Sequence, residues 1–326
     1  MNGPGVAIWH YYGFSGDTVF DPESPLNRDD CFSFYRLLRE RIEAIGGFCH
    51  TIDVCREQGL EPDVVLFFDA PPAPVEVGVE AALSGWAHRP DPWLLLFECP
   101  AILPHNWGAG VHDLFSKVLT WADPLIDGER YLKFNFPNIL QLPAALDVEA
   151  ATRGLCTLIA SDKNANHPFE LYSQRRSLIR WFEQHHPEHF DFYGQGWDAG
   201  SYPSYRGLVD EKLPTLGRYW FSVCFENARE FPGYITEKIF DCFAASTVPV
   251  YWGPPNAPEL LPADAYVDAS RFADWGELYE FLLSVEEDDY ASYLEAARRF
   301  LESDRMTMFT NEGCVDVIVG ALERSA

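Results

Sequence analysis

The chain has 326 residues with 24 Lys+Arg against 50 Asp+Glu, a formal net charge of −26. No basic run is longer than the pairs Arg175-Arg176 and Arg298-Arg299, which excludes nucleic acid and anionic membranes as partners and leaves any anionic ligand to a few placed cations. With 47% hydrophobic and 15% aromatic residues the chain can bury a large core, its length suits two domains, and global disorder is excluded.

Met1 to Gly16 lacks a basic segment followed by an apolar one, and apolar stretches such as Trp93 to Phe97 are far short of a membrane span. Together with eight scattered cysteines, no C-x-x-C pair and no N-x-S/T sequon, this reads as a soluble, unexported, cytoplasmic protein without a membrane span. No repeat of roughly 20 to 50 residues occurs, so a solenoid or propeller is not expected.

In chain order, Val6 to Trp9, Val64 to Phe68 and Trp93 to Phe97 are short apolar runs ended by polar, Pro or Gly residues, as expected of strands buried on both faces of a parallel sheet. Cys31 to Ile45 can be helical between them, and Lys117 to Trp121 is a further strand candidate. Pro, Asn and Asp then become frequent from Asp123 to Asp147, which reads as an interdomain connection.

A second series follows. Leu155 to Ala160 reads as a strand, Ser161 to Pro168 as a polar loop, and Glu170 to His185 as a helix with Leu171, Leu178 and Trp181 on one face. Phe190 to Tyr193 and Tyr219 to Phe225 read as strands, Ile235 to Ala245 as a helix, and Val248 to Trp252 as a strand. Three acidic amphipathic helices finish the chain from Asp274. Two successive βαβ series imply an α/β fold of two Rossmann-like, doubly wound domains facing across a cleft, residues 1–148 and 149–326, the second including the terminal helices.

The most informative window is Phe221 to Phe272, where a buried strand delivers Glu226 and Asn227 to its C-terminal end, Pro232 and Gly233 follow, and a helix opens near Thr236. In a parallel sheet that edge is the ligand crevice, and a helix N-terminus offers free N–H groups and a positive dipole to phosphate. Lys238 adds a full charge and Glu237 an acceptor for ribose hydroxyls, although from spacing alone the two are equally a solvated helix start.

The string FSVCFEN-x5-GYITEKI-x8-VPVYWG resembles the donor-binding signature of glycosyltransferase family ten, the α-1,3/1,4-fucosyltransferases. Leu96-Phe97-Glu98-Cys99-Pro100 resembles the family's acceptor-side E-S-P motif with Cys for Ser. Leu119 to Asp123, Tyr131 to Pro137 and Leu158 to Trp197 also fit, so the likeness covers most of the chain between Pro90 and Phe272. It implies a GT-B-type fold, GDP-fucose as donor, inversion at the anomeric centre and no metal cofactor. Independently, Asp-x-Asp, through which many sugar-nucleotide transferases hold a cation, is absent from the sequence. The acidic run Glu286 to Asp289 reads as a solvated face.

The resemblance assigns Asn227 and Tyr234 to the donor, with Glu226, Glu237 and Lys238 beside them, and makes Arg206 a second cation for the diphosphate. It makes Glu98 the base that takes the proton of an acceptor hydroxyl, where position alone would allow a surface Glu at a strand end. An acceptor oligosaccharide with a galactosyl-GlcNAc unit, such as N-acetyllactosamine, is likewise implied by the family. Other donors on the same scaffold and a degenerate sugar-binding protein are the competing readings, the second opposed by the joint presence of Glu98, Asn227, Glu237 and Lys238. His185, His186 and His189 straddle Pro187 at a helix end and read as structural, and Arg175 and Arg176 read as surface or interdomain residues. Gly194-Gln195-Gly196 lacks the dinucleotide spacing, while Ser161, Lys163 and Asn164 open the first loop of the donor domain and are placed to touch nucleotide.

Overall fold

Consecutive residues of the apolar runs go into two different cores, which is why these runs carry no polar face. In the computed structural model, which describes residues 3–139, 142 and 153–325, β1 (Gly5–His10) is followed by α1 (Ser33–Ala44), β2 (Phe48–Thr51), α2 (Ile52–Gln58), β3 (Val64–Phe68), α3 (Val75–Leu83), β4 (Asp91–Leu96), β5 (Lys117–Thr120) and β6 (Tyr131–Lys133). Val64, Leu66 and Phe68 of β3 join Trp93 and Leu95 of β4 in one core under α1, whereas Val65, Phe67, Leu94 and Leu96 join Val75 and Val79 of α3 in the other. Each such side chain contributes about 1.5–3 kcal/mol when removed from water.

The strands are parallel in the order β2-β1-β3-β4-β5-β6. The order reverses between β1 and β3, so the crevice for a ligand lies beyond the C-terminal ends of those strands and their neighbour β4.

The second series runs β7 (Gly154–Ile159), α4 (Tyr172–His185), β8 (Phe190–Tyr193), α5 (Lys212–Leu216), β9 (Tyr219–Val223), α6 (Glu237–Ala244), β10 (Val248–Tyr251), α7 (Ala257–Leu260), β11 (Val267–Asp268), α8 (Trp275–Ser284) and α9 (Glu287–Leu301). Its parallel sheet has the order β11-β10-β9-β7-β8, with the switch between β7 and β9. One face is covered by α4 and α8 through Leu178, Ile179, Phe182, Leu278 and Leu282. Glu286 precedes α9 without a side-chain bond to it, and the acidic run that opens the helix is solvent-facing, as its composition implies.

Two compact units result, Met1–Ile139 with Thr307–Ala326 and Leu140–Met306. The expected boundary at 148/149 lies outside the described residues, and the end of the chain departs from expectation. The last helix, α10 (Asn311–Ser325), belongs to the first unit and not to residues 149–326 as a block. Its stripe of Cys314, Val315, Ile318, Ala321 and Leu322 completes the core under α1, because a sheet wound on both faces leaves α1 alone too small a cover for that side. Asn138 N–H to Phe309 O (2.8 Å) and Asn311 N–H to Asn138 O (2.9 Å) fix where the chain returns. β6 likewise places Tyr131–Lys133, read as connection, inside the first sheet.

Candidate active site

The donor-side residues gather at the switch point of the second sheet. Past β9, buried Phe225 leads to Glu226, whose side chain is wholly buried. Its carboxylate accepts from Thr236 N–H (2.8 Å), the Thr236 hydroxyl (2.7 Å), the Tyr251 hydroxyl (3.1 Å) and Lys238 Nζ (3.3 Å). A buried carboxylate is tolerable only when so satisfied. Burial and the Glu226 charge push the Tyr251 phenol well up, so it remains a donor. Glu226 therefore does not face a ligand; it ties the start of α6 to the end of β9 and aims Lys238, which corrects its expected place among donor-contacting groups.

Thr236 makes no side-chain cap to α6, whose N-terminus carries the positive end of the helix dipole. Glu237 is half exposed there; crowding opposes its ionisation, but Lys238 and Lys212 outweigh that and hold its carboxyl at about 2. Asn227 is placed by a short antiparallel pairing, Leu171 N–H to Asn227 O (3.0 Å) and Arg229 N–H to Phe169 O (2.9 Å). Its amide Nδ2 donates to the Tyr234 hydroxyl (3.3 Å). Tyr234 is fully buried and meets the site through Asn227.

Arg206, expected as the second cation, stands apart from this strand end. Arg206 pairs with Asp191 (2.6 Å) and donates to Pro203 O (3.0 Å). Its segment lies alongside β8, with Arg206 N–H bonded to Phe192 O (2.8 Å), so β8 and β7 intervene before β9. That is about three strand spacings, roughly 14 Å, along the sheet.

Arg175, in contrast, is 4% exposed and sits against the end of β9. Its Nη2 donates to Phe225 O (2.5 Å), Glu226 O (2.8 Å) and Asn227 Oδ1 (3.3 Å), and its Nε is buried without a partner. Burial lowers its pKa, opposed by Tyr172 and Glu226, yet a guanidinium stays charged. A buried cation with an unspent donor is what an anion site requires. The sequence signal was available: Leu171, Arg175, Leu178, Ile179 and Phe182 share one helical stripe. Arg176 did come out on the surface, holding Asp162 (2.8 Å) and Lys163 O (2.8 Å) and bonded to Asn164, so loop 161–164 is braced by this helix.

Glu98 lies two residues beyond β4, which ends at Leu96 and not at Phe97. Its backbone N–H donates to Asp69 Oδ1 (3.2 Å), as does that of Phe97 (2.9 Å), and Trp107 Nε1 donates to Glu98 O (3.0 Å). Asp69, at φ +59°, also accepts from Asn106 Nδ2 (2.8 Å) on the same oxygen. Burial pushes the Asp69 carboxyl up to about 6 against these three bonds. Around this edge stand His10, whose burial brings it down to about 4, and the stacked pair Tyr11–His105 at 5.5 Å.

The remaining features are structural. His186 stacks on Tyr279 (3.9 Å), His189 Nδ1 meets the Tyr279 hydroxyl (2.8 Å), and His185 stacks on Trp181. Among the described residues His186, Glu188 and His189 are the one group with ligand atoms within 4.8 Å of one another. They lie at the start of β8, away from the sheet's C-terminal edge. Gly194 has φ +133°, and a Cβ there would lie 1.9 Å from Ala160 O, so this turn serves packing.

Two parallel α/β sheets, each with its polar residues at the C-terminal strand ends, define a fold of the GT-B glycosyltransferase class. Residues 152–314, half of the chain, match the profile described as glycosyltransferase family 10 (fucosyltransferase) C-term. The protein belongs to glycosyltransferase family 10. It is 28% identical over 212 residues to the 4-galactosyl-N-acetylglucosaminide 3-alpha-L-fucosyltransferase 9 of Rattus norvegicus, covering 64% of this chain and 53% of that one. It is 34% identical over 74 residues to the alpha-(1,3)-fucosyltransferase FucT of Helicobacter pylori, 23% of this chain and 15% of that one. The chain spans about half the length of the mammalian relatives it matches. In fold it is similar to an alpha1,3-fucosyltransferase crystallised with GDP-fucose, with TM-score 0.60 and 15% identity over 99% of this chain and 91% of that one. It is also similar to an alpha-glucosyltransferase in complex with UDP-glucose and DNA, with TM-score 0.62 and 11% identity over 98% and 99%. Among the described residues no helix is long and apolar enough to cross a membrane.

Proposed function

We propose that the protein transfers L-fucose from GDP-fucose to a hydroxyl of a GlcNAc-containing, N-acetyllactosamine-like glycan in α-1,3 or α-1,4 linkage, inverting the anomeric centre and without a metal cofactor. The observation that carries this reading is the convergence of Arg175, Asn227, Lys238 and the uncapped start of α6 at one strand end. Membership of family 10 and the names of the relatives support fucose and the acceptor class.

In the reaction the acceptor oxygen bonds to fucose C1 as the bond from C1 to the diphosphate breaks, through an oxocarbenium-like state. Glu98 takes the proton from the attacking hydroxyl. The charge left on GDP is met by Lys238, Arg175 and the N–H groups of α6, so no divalent cation is needed to offset it. Asn227 and Glu237 hydrogen-bond donor hydroxyls, Tyr234 holds Asn227, and Glu226 holds Lys238.

The test is a pair of isosteric variants assayed with GDP-fucose and N-acetyllactosamine. Glu98→Gln should bind GDP as the wild type does while transfer falls by roughly two to four orders of magnitude. Glu226→Gln should weaken GDP binding and transfer together. Transfer lost in Glu226→Gln with GDP binding intact, beside an active Glu98→Gln, would refute these roles.

A further inference from the structure

The N–H and C=O groups of Phe97 and Glu98 all have side-chain partners, and one of those partners stands in a conformation that a non-glycine residue seldom adopts. Asp69 closes β3 with its N–H bonded to Leu95 O (2.9 Å), which continues the ladder to β4. It then turns into the left-handed region, at φ +59°, and is 3% exposed. That conformation persists only where the surroundings over-determine it. Here they do. Oδ1 receives Phe97 N–H (2.9 Å), Glu98 N–H (3.2 Å) and Asn106 Nδ2 (2.8 Å), while Asn106 Oδ1 accepts from Ala70 N–H (2.9 Å) and so closes a ring of bonds through the turn. On the far side Trp121 Nε1 holds Phe97 O (2.9 Å) and Trp107 Nε1 holds Glu98 O (3.0 Å).

We infer that Asp69 is a positioning residue for transfer: through its Oδ1 it fixes the backbone of Phe97 and Glu98 and thereby the place from which the Glu98 carboxylate takes the acceptor proton. The inference rests on the role proposed for Glu98. A base displaced by about 1 Å loses on the order of a hundredfold in rate, and the donor residues lie in the other compact unit. The effect should therefore fall on turnover and not on nucleotide affinity.

Asp69→Gly removes the acceptor while leaving a residue that adopts positive φ without strain. Asp69→Asn keeps an acceptor oxygen in place, and Asn tolerates this conformation. With GDP-fucose and N-acetyllactosamine, the glycine variant should lose about a hundredfold in kcat with GDP affinity within about twofold of wild type. The asparagine variant should recover to within about tenfold of wild type, because two backbone N–H groups and Asn106 still find their acceptor. A glycine variant with wild-type kcat, or one that loses GDP affinity in proportion, would overturn the inference, as would an asparagine variant no better than glycine. Should the glycine variant not fold, amide exchange in the wild-type chain decides: Phe97 and Glu98 should be protected like the core of β4, and exchange at open-loop rates would overturn the clamp. Glu98→Gln serves as the control. If it transfers fucose at the wild-type rate, the role of Glu98 fails; if it is inactive while Asp69→Gly is normal, only the role of Asp69 fails.

Discussion

Arg175 and Lys238 bring positive charge to the same strand end by different routes. Lys238 reaches Glu226 from the first turn of α6, whereas Arg175 comes from inside the apolar stripe of α4 and keeps a buried donor unspent. Arg206, separated from β9 by β7 and β8, has its charge matched by Asp191 of β8. Lys238→Ala should therefore weaken GDP binding and cut turnover about a hundredfold, and Arg175→Lys, which loses the planar fork, should cost tenfold or more. Arg206→Ala should stay within about threefold of wild type, since an exposed ion pair contributes little. Kinetics in which Arg206→Ala is the most damaged of the three would restore it to the site. Spacing placed Asn227, Glu237 and Lys238 at the end of a buried strand and the opening of a helix, and the family resemblance made them donor residues. Spacing missed Arg175 because a charged residue among others on a helix looks solvated unless its stripe is traced, and it missed Asp69 although that residue, too, directly follows an apolar strand.

Two titrating groups at the first sheet's edge oppose each other. Asp69, at about 6 in the fold against 3.8 ordinarily, keeps a proton that the unfolded chain loses, so its contribution is present in acid and lost as pH rises through about 6. His10, at about 4 against 6.5, stays neutral where the unfolded chain would be protonated, so its contribution is present above 6.5 and lost as pH falls toward 4. Removing the first with Asp69→Asn leaves the second unopposed. Stability of the variant should then rise more steeply with pH than that of wild type between about 4 and 6, by on the order of 2–3 kcal/mol in total. Urea titrations across that range check it, and parallel curves would contradict the burial of Asp69.

At the scale of elements, the strands that carry the site were legible because burial on both faces writes a continuous apolar run, as in Val64–Phe68. β2 and β6 were not, since FCHT mixes polar residues into an edge strand and YLK is three residues long. The destination of α10 was not legible either, because an amphipathic pattern states that a helix has an apolar face but not which sheet receives it. Asn311 Nδ2 donating to Ser33 Oγ (2.9 Å) and the Arg41–Asp316 ion pair tie α10 to α1. Ile318→Ala, at a fully buried position of this pair, should cost about 2–4 kcal/mol. Chemical denaturation followed by far-UV circular dichroism measures this, and a loss under about 0.5 kcal/mol would mean that α10 does not complete that core.

For the whole molecule, a net charge of −26 makes the surface repel an anionic donor, so binding depends on the few cations placed at the second sheet's edge. The central claim is fucosyl transfer by those cations and a carboxylate base, and the most direct measurement is the product itself. GDP-fucose should be incubated with a panel of galactosyl-GlcNAc acceptors in EDTA, the products analysed by mass spectrometry, and the new anomeric proton assigned by NMR. The account predicts an acceptor heavier by one deoxyhexose, joined through an α linkage from the β-linked donor, formed at a rate that EDTA leaves nearly unchanged. Retention of the β configuration, a loss of about tenfold or more in EDTA restored by Mn²⁺ or Mg²⁺, or transfer from UDP-glucose in place of GDP-fucose would contradict it.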